Sequence, residues 1–175
     1  MLKLLLKLVG GLLGLIVLFV VGTFVVARFH DGPMDGGFAI VSGGPFTSGE
    51  MHTGPEPDWS FLKDYFTVEF QLLDPVRSRT TFVMEHENRI FIPSGYMNSL
   101  VGKLWKHWPA EAEQDGRAIL RVDGKLYERQ LVRITEGEIL DGVLAELSRK
   151  YGRGQQAPLS MVTSNDLWIF ELTPR

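Results

Sequence analysis

At 175 residues the chain has room for one membrane anchor and one compact domain of about 145 residues, because domains of about 100 to 150 residues are the common self-folding size. The formal net charge is −3, and setting aside Lys3, Lys7 and Arg28 at the ends of the first apolar segment leaves 15 basic against 21 acidic residues, a balance that excludes the broad basic footprint of nucleic-acid binding. With no cysteine, disulfides, thiolate metal sites and a Cys nucleophile are excluded as well.

Residues 8–27 carry no charge and a single mildly polar side chain, Thr23. Twenty helical residues at about 1.5 Å each match the roughly 30 Å of a hydrocarbon core, and a helix satisfies its own backbone where lipid offers no hydrogen-bond partner. Residues 1–28 therefore read as a single-pass anchor in the bilayer. Lys3 and Lys7 outnumber Arg28, which places the N-terminus in the cytoplasm and the domain on the extracytoplasmic side. A cleaved signal peptide is the other reading, but the apolar stretch exceeds the about 7 to 15 residues typical of one. Gly10 and Gly14 have the small-xxx-small spacing that lets two such helices approach, so a homodimer is an expectation.

Residues 29–58 are dense in Gly, Pro, Ser and Asp and read as a linker with one short strand at 38–41. The soluble domain is expected over 59–175. Residues 65–73 alternate Phe66, Val68, Phe70 and Leu72 with polar neighbours, the period of a half-buried strand. Residues 80–85 and 89–93 form two runs across the polar His86-Glu87-Asn88. Residues 117–122 and 125–134 flank Asp123-Gly124, a strong hairpin signal, because a type I′ turn needs positive φ at both central positions. Residues 167–172 supply a last strand.

Two helices are predicted among these strands. Residues 98–108 place Leu100, Val101, Leu104, Trp105 and Trp108 on one face, with Lys103, Lys106 and His107 on the surface. Thr135 and Glu138 fit a capping box that starts a helix carrying Leu140, Val143, Leu144 and Leu147 on one side and closing near Gly152. The predicted fold class is mainly β with helices (α+β): a small split β-barrel, mostly antiparallel, preceded by one transmembrane helix. Closing the sheet hides the edges that an open one would expose.

Four histidines, His30, His52, His86 and His107, include no i, i+4 pair, and no serine sits in a GxSxG elbow. The chemically suggestive stretch is 92–105. A strand ending in Ser94 runs into a helix start rich in Asn98 and Ser99, with Lys103 one turn in, which offers an anion free N–H groups and an ammonium. Arg77 and Arg79 open the strand expected beside it and can grip the same phosphate. The plainer alternative is that Ser94, Asn98 and Ser99 only cap a helix.

Arg79-Thr80-Thr81, the strand and polar turn that follow, residues 90–94, Tyr96, Ser99, Lys103 and the Asp123-Gly124 hairpin resemble the FMN-binding split-barrel superfamily, which includes pyridoxamine-phosphate oxidases and deazaflavin-dependent reductases. The resemblance implies that Arg79, Thr80, Ser94, Ser99 and Lys103 hold a cofactor phosphate and that Trp105 lies near the ring. Asn98-Ser99-Leu100 stands where that family commonly has Ser-Arg-Lys. The function implied is a membrane-anchored protein that binds FMN or a related flavin or deazaflavin and works as an oxidoreductase with a redox partner. A different class is a non-catalytic module that keeps the barrel without cofactor and binds an envelope protein. Trp59, Trp105, Trp108 and Trp168 would then be core or interface aromatics.

Overall fold

The computed structural model describes residues 1–34, 41–100, 102 and 106–175. It opens on a 28-residue helix, α1 (Leu2–Phe29), whose residues are exposed along its length apart from half-buried Thr23 and buried Ala27. Thr23 donates its hydroxyl to the Phe19 carbonyl one turn back, so the polar group is satisfied within the helix. The helix is long and apolar enough to cross a membrane.

Among the described residues eight strands form one sheet: β1 (Glu50–Met51), β2 (Thr67–Leu73), β3 (Val76–Phe82), β4 (Met84–His86), β5 (Arg89–Ser94), β6 (Arg117–Val122), β7 (Lys125–Ile134) and β8 (Trp168–Pro174). Their order is β3-β2-β6-β7-β8-β5-β4, antiparallel throughout, with β1 added in parallel beside β7. Two tight turns pin the register. Asp123 and Gly124 both take positive φ (50° and 74°) between β6 and β7, as do Glu87 and Asn88 (53° and 58°) between β4 and β5.

β3 and β4 stand at opposite ends of that order, yet only Val83 separates them in sequence. The sheet must therefore curl until its two edges meet at Val83, which is fully buried. Beyond that corner β3 and β5 come within 8 Å at Cα but do not pair. Extending the Met84↔Phe91 register would set Phe82 opposite Pro93, which has no N–H to offer a ladder. The result is an antiparallel half-barrel with helices, an α+β fold joined at one corner and parted next to it.

Phe70, Leu72, Ile90, Ile92, Leu120 and Phe170 fill the barrel. A second cluster packs α3 (Ile139–Tyr151) through Leu140, Val143 and Leu144 onto Met84, Phe91 and Ile169 on the other side of the sheet. At the curled corner the Lys150 ammonium, its side chain buried, donates to the carbonyls of Leu62 (2.6 Å), Tyr65 (2.8 Å) and Val83 (3.0 Å) and so ties three segments together.

Several local expectations change. The predicted run 80–85 is broken at Val83 into two strands. The capping box at Thr135 does not form: Gly137 turns the chain at φ 113° and no side chain caps α3. The helix predicted over 98–108 does not persist to its end, since Lys106 and His107 are not helical. A separate helix, α2 (Trp108–Gln114), starts there because Pro109 fits the first turn, where its missing N–H is no loss. A short α4 (Ser160–Thr163) precedes β8. Most of the strand predicted at 38–41 lies outside the described residues.

The described part of 29–58 packs on the barrel. Asp31 accepts from Thr47 and Ser48 and pairs with Arg121, which also binds Glu69 at 2.6 Å. Gly43 bridges to Ser78 of β3, and the Ser78 hydroxyl donates to the Gly44 carbonyl at 2.6 Å. Glu56 pairs with the buried Arg129 at 2.9 Å and accepts from the Trp59 indole.

Candidate functional site

Where β3 and β5 part, a cleft of about 710 Å³ opens, within the range of small-molecule sites. Arg79 to Phe82 form one wall and Pro93 to Tyr96 the other, with Trp108 and Phe70 at the barrel side. Tyr151, Gln155 and Met161 close it from the α3 side, while Pro33 and Met34, just past α1, complete the rim. The break in strand pairing is thus what makes the space.

Arg79 is the feature that packing does not explain. Paired opposite Phe70, it shares the inward face of the sheet with that core ring. It is 8% exposed, its Nε has no hydrogen-bond partner, and no ion pair reaches it among the described residues. Burial lowers its pKa from 12.5 to about 10, with Glu111 opposing the fall and Arg77 adding to it. A buried guanidinium without a partner is destabilising by itself, and an anion entering the cleft would satisfy it.

Lys106 adds a second cation. Its Nζ donates to the Gly95 carbonyl at 2.7 Å and lies 5.8 Å from the centre of the Tyr96 ring, and burial lowers its pKa. Burial raises the Tyr151 phenol to about 12, and the hydroxyl donates to the Val83 carbonyl (2.9 Å). Among the described residues the cleft is lined by two cations, Arg79 and Lys106, and by no carboxylate or imidazole.

The residues singled out from sequence divide. Arg79 and Thr80 of β3 and Ser94 of β5 all line this cleft. Ser94 is buried, and its hydroxyl points at the Met97 sulfur, 3.2 Å away. Ser99 is not among the lining residues: its hydroxyl donates to Tyr96 and accepts the Gly102 N–H at 2.9 Å, a local cap of the kind the plainer reading describes. Asn98 reaches the Ser164 carbonyl instead of the cleft. Lys103 and Trp105 lie outside the described residues. Sequence reasoning placed Lys106 on the surface; the early end of the helix turns it into the cleft. Trp108 also lines the cleft, held edge-on to Phe70 at 5.1 Å.

A second depression, about 430 Å³, surrounds Arg121 between Asp31, Glu69 and Asp123. Its guanidinium is already held by two carboxylates and stacks on Phe46 at 4.2 Å, so nothing there calls for a ligand.

No protein-family model matches the sequence, and no curated protein matches it. Among solved structures the chain is similar to a Listeria innocua protein described as a candidate pyridoxamine 5'-phosphate oxidase. The two share 10% identity, the likeness covers 66% of this chain and 89% of that one, and the TM-score is 0.43.

Proposed function

We propose that the protein is a membrane-tethered half-barrel whose cleft binds a phosphorylated flavin, FMN or a deazaflavin relative. One observation carries the reading: the Arg79 guanidinium, whose buried Nε has no hydrogen-bond partner and which no ion pair reaches among the described residues, borders a cleft that no acidic side chain among those residues lines. Such a site selects an anion with a sizeable apolar body. In it Arg79 grips the phosphate, with Ser94 across the cleft and Lys106 at the rim, while Thr80, next along β3, turns its side chain to the other face. Phe70, Trp108 and Tyr151 offer the flat apolar surface a fused ring system requires. A bound flavin supplies hydride or electron transfer, and the chain contributes position, charge and exclusion of water.

α1 serves as the anchor, with Lys3 and Lys7 holding the N-terminus in the cytoplasm and the barrel on the other face. The purified full-length protein in detergent tests the proposal. A flavin absorbance band at about 450 nm, or a thermal shift with FMN larger than with riboflavin, supports it, since only the phosphate distinguishes those two ligands. No band and no shift with FMN or a deazaflavin phosphate overturns it and leaves the cofactor-free interaction module. A mature N-terminus at Arg28 by mass spectrometry would show a cleaved signal instead of an anchor.

A further inference from the structure

The end of α1 is built into the barrel wall. A Cβ on Gly44 would stand 2.6 Å from the carbonyl oxygens of Arg28 and His30, and one on Gly43 would stand 1.9 Å from that of Gly32. Only glycine permits this approach. Those two glycines are the ones fastened to Ser78 of β3. The helix exit is therefore clamped to the outer face of one strand.

Side chains alternate along a strand, so Phe82 shares the outer face of β3 with Ser78, about 13 Å further on at roughly 3.3 Å per residue. Phe82 is 51% exposed and stacks on Tyr151 at 4.3 Å, and Tyr151 meets Phe66, 66% exposed, edge-on at 5.9 Å. Across the cleft Tyr96 is 71% exposed. Single exposed apolar residues are ordinary, but Phe82 and Tyr96 border one opening that Pro33 and Met34, a few residues past α1, also line, and Phe66 flanks it through its contact with Tyr151. Four residues the other way from Ser78, the β2–β3 turn exposes Asp74 instead.

We infer that the aromatic rim of Phe66, Phe82 and Tyr96 rests in the headgroup layer of the bilayer that α1 crosses, so that the cleft opens on lipid and not on bulk water. The occupant of this surface is the bilayer because the rim is continuous with the helix exit. Rings of this kind also favour the membrane interface, where aromatic and amphipathic groups find apolar and polar surroundings together. Arg28 and Lys106 supply the positive charge that anionic headgroups attract. A cleft so placed takes its redox or binding partner from molecules dissolved in the membrane. The inference rests on α1 spanning the bilayer.

The absence of cysteine makes the test direct. Single variants Phe66→Cys, Phe82→Cys, Tyr96→Cys, Asp74→Cys and Leu12→Cys of the full chain are spin-labelled and reconstituted in phosphatidylcholine–phosphatidylglycerol vesicles. Collision with oxygen, which concentrates in lipid, is compared with collision with a water-soluble nickel chelate. Oxygen should dominate at positions 12, 66, 82 and 96, and nickel at 74. Nickel dominating at 66, 82 and 96 while oxygen dominates at 12 overturns the inference and leaves the anchor intact. Nickel dominating at 12 overturns the anchor, and the docking with it.

Discussion

Replacing Arg79 by methionine separates the binding role of this residue from a structural one. In the free protein the guanidinium is 8% exposed, and burial, opposed by Glu111 and reinforced by Arg77, lowers its pKa from 12.5 to about 10. At about 1.4 kcal/mol per tenfold change in proton affinity, holding the charge there is unfavourable by about 3 kcal/mol. Methionine keeps most of the apolar reach and removes the charge. Ligand-free Arg79→Met is therefore expected to be more stable by about 1 to 3 kcal/mol, raising Tm by about 3 °C per kcal/mol for a chain of this size. Folded and unfolded chains both carry the proton below about pH 10, so the gain is constant through neutral pH. It shrinks above about pH 10, where the folded wild-type guanidinium loses its proton before the unfolded one does. FMN affinity should fall in the same variant by about 5- to 150-fold, the scale of one charge-assisted hydrogen bond. Thermal unfolding in detergent with and without FMN, and a flavin fluorescence titration, read both effects. A destabilised variant with unchanged affinity would refute the reasoning and make Arg79 a structural group.

Lys150→Met leaves the Leu62, Tyr65 and Val83 carbonyls without their shared donor, and a loss of about 3 kcal/mol is expected in urea unfolding. Gly43→Ala forces a Cβ onto the Gly32 carbonyl, so limited proteolysis between residues 30 and 48 should quicken while the barrel melts little changed. Hydrogen bonds from Ser48 and Thr47, and beyond them Arg121, hold the Asp31 carboxyl well below its ordinary 3.8. Its stabilisation is complete above that value and is lost as pH falls below it, so the protection of the Thr47 and Ser48 amides, their exchange measured against the intrinsic rate at each pH, should fall in acid. Asp31→Asn should abolish the pH dependence of that protection.

Features legible in the sequence are the ones that depend on near neighbours. The alternation of Val68, Phe70 and Leu72 predicts β2, and Asp123-Gly124 predicts the β6–β7 turn from the two positive φ angles it must supply. The apolar stripe of α3 predicts the face it buries. Thr135 misled because a cap needs the right backbone entry as well as the right residues, and Gly137 provides a different one. Pro109 was a usable sign that a new helix starts at Trp108. Nothing local marks Glu56, Asp31 or Gly43 as partners of the barrel, since Arg129, Arg121 and Ser78 lie far along the chain.

The residue pattern alone determined an apolar helix long enough for a bilayer, a mainly antiparallel set of strands and the identity of Arg79 as a cation of interest, because periodicity and turn chemistry act over a few residues. Tertiary structure decided that β3 and β4, neighbours across Val83, become opposite edges of one curled sheet. That curl seats Arg79 on one cleft with Ser94 and Lys106, without an ion-pair partner among the described residues, and clamps the helix exit to β3. Strand order and desolvation are properties of the closed sheet as a whole.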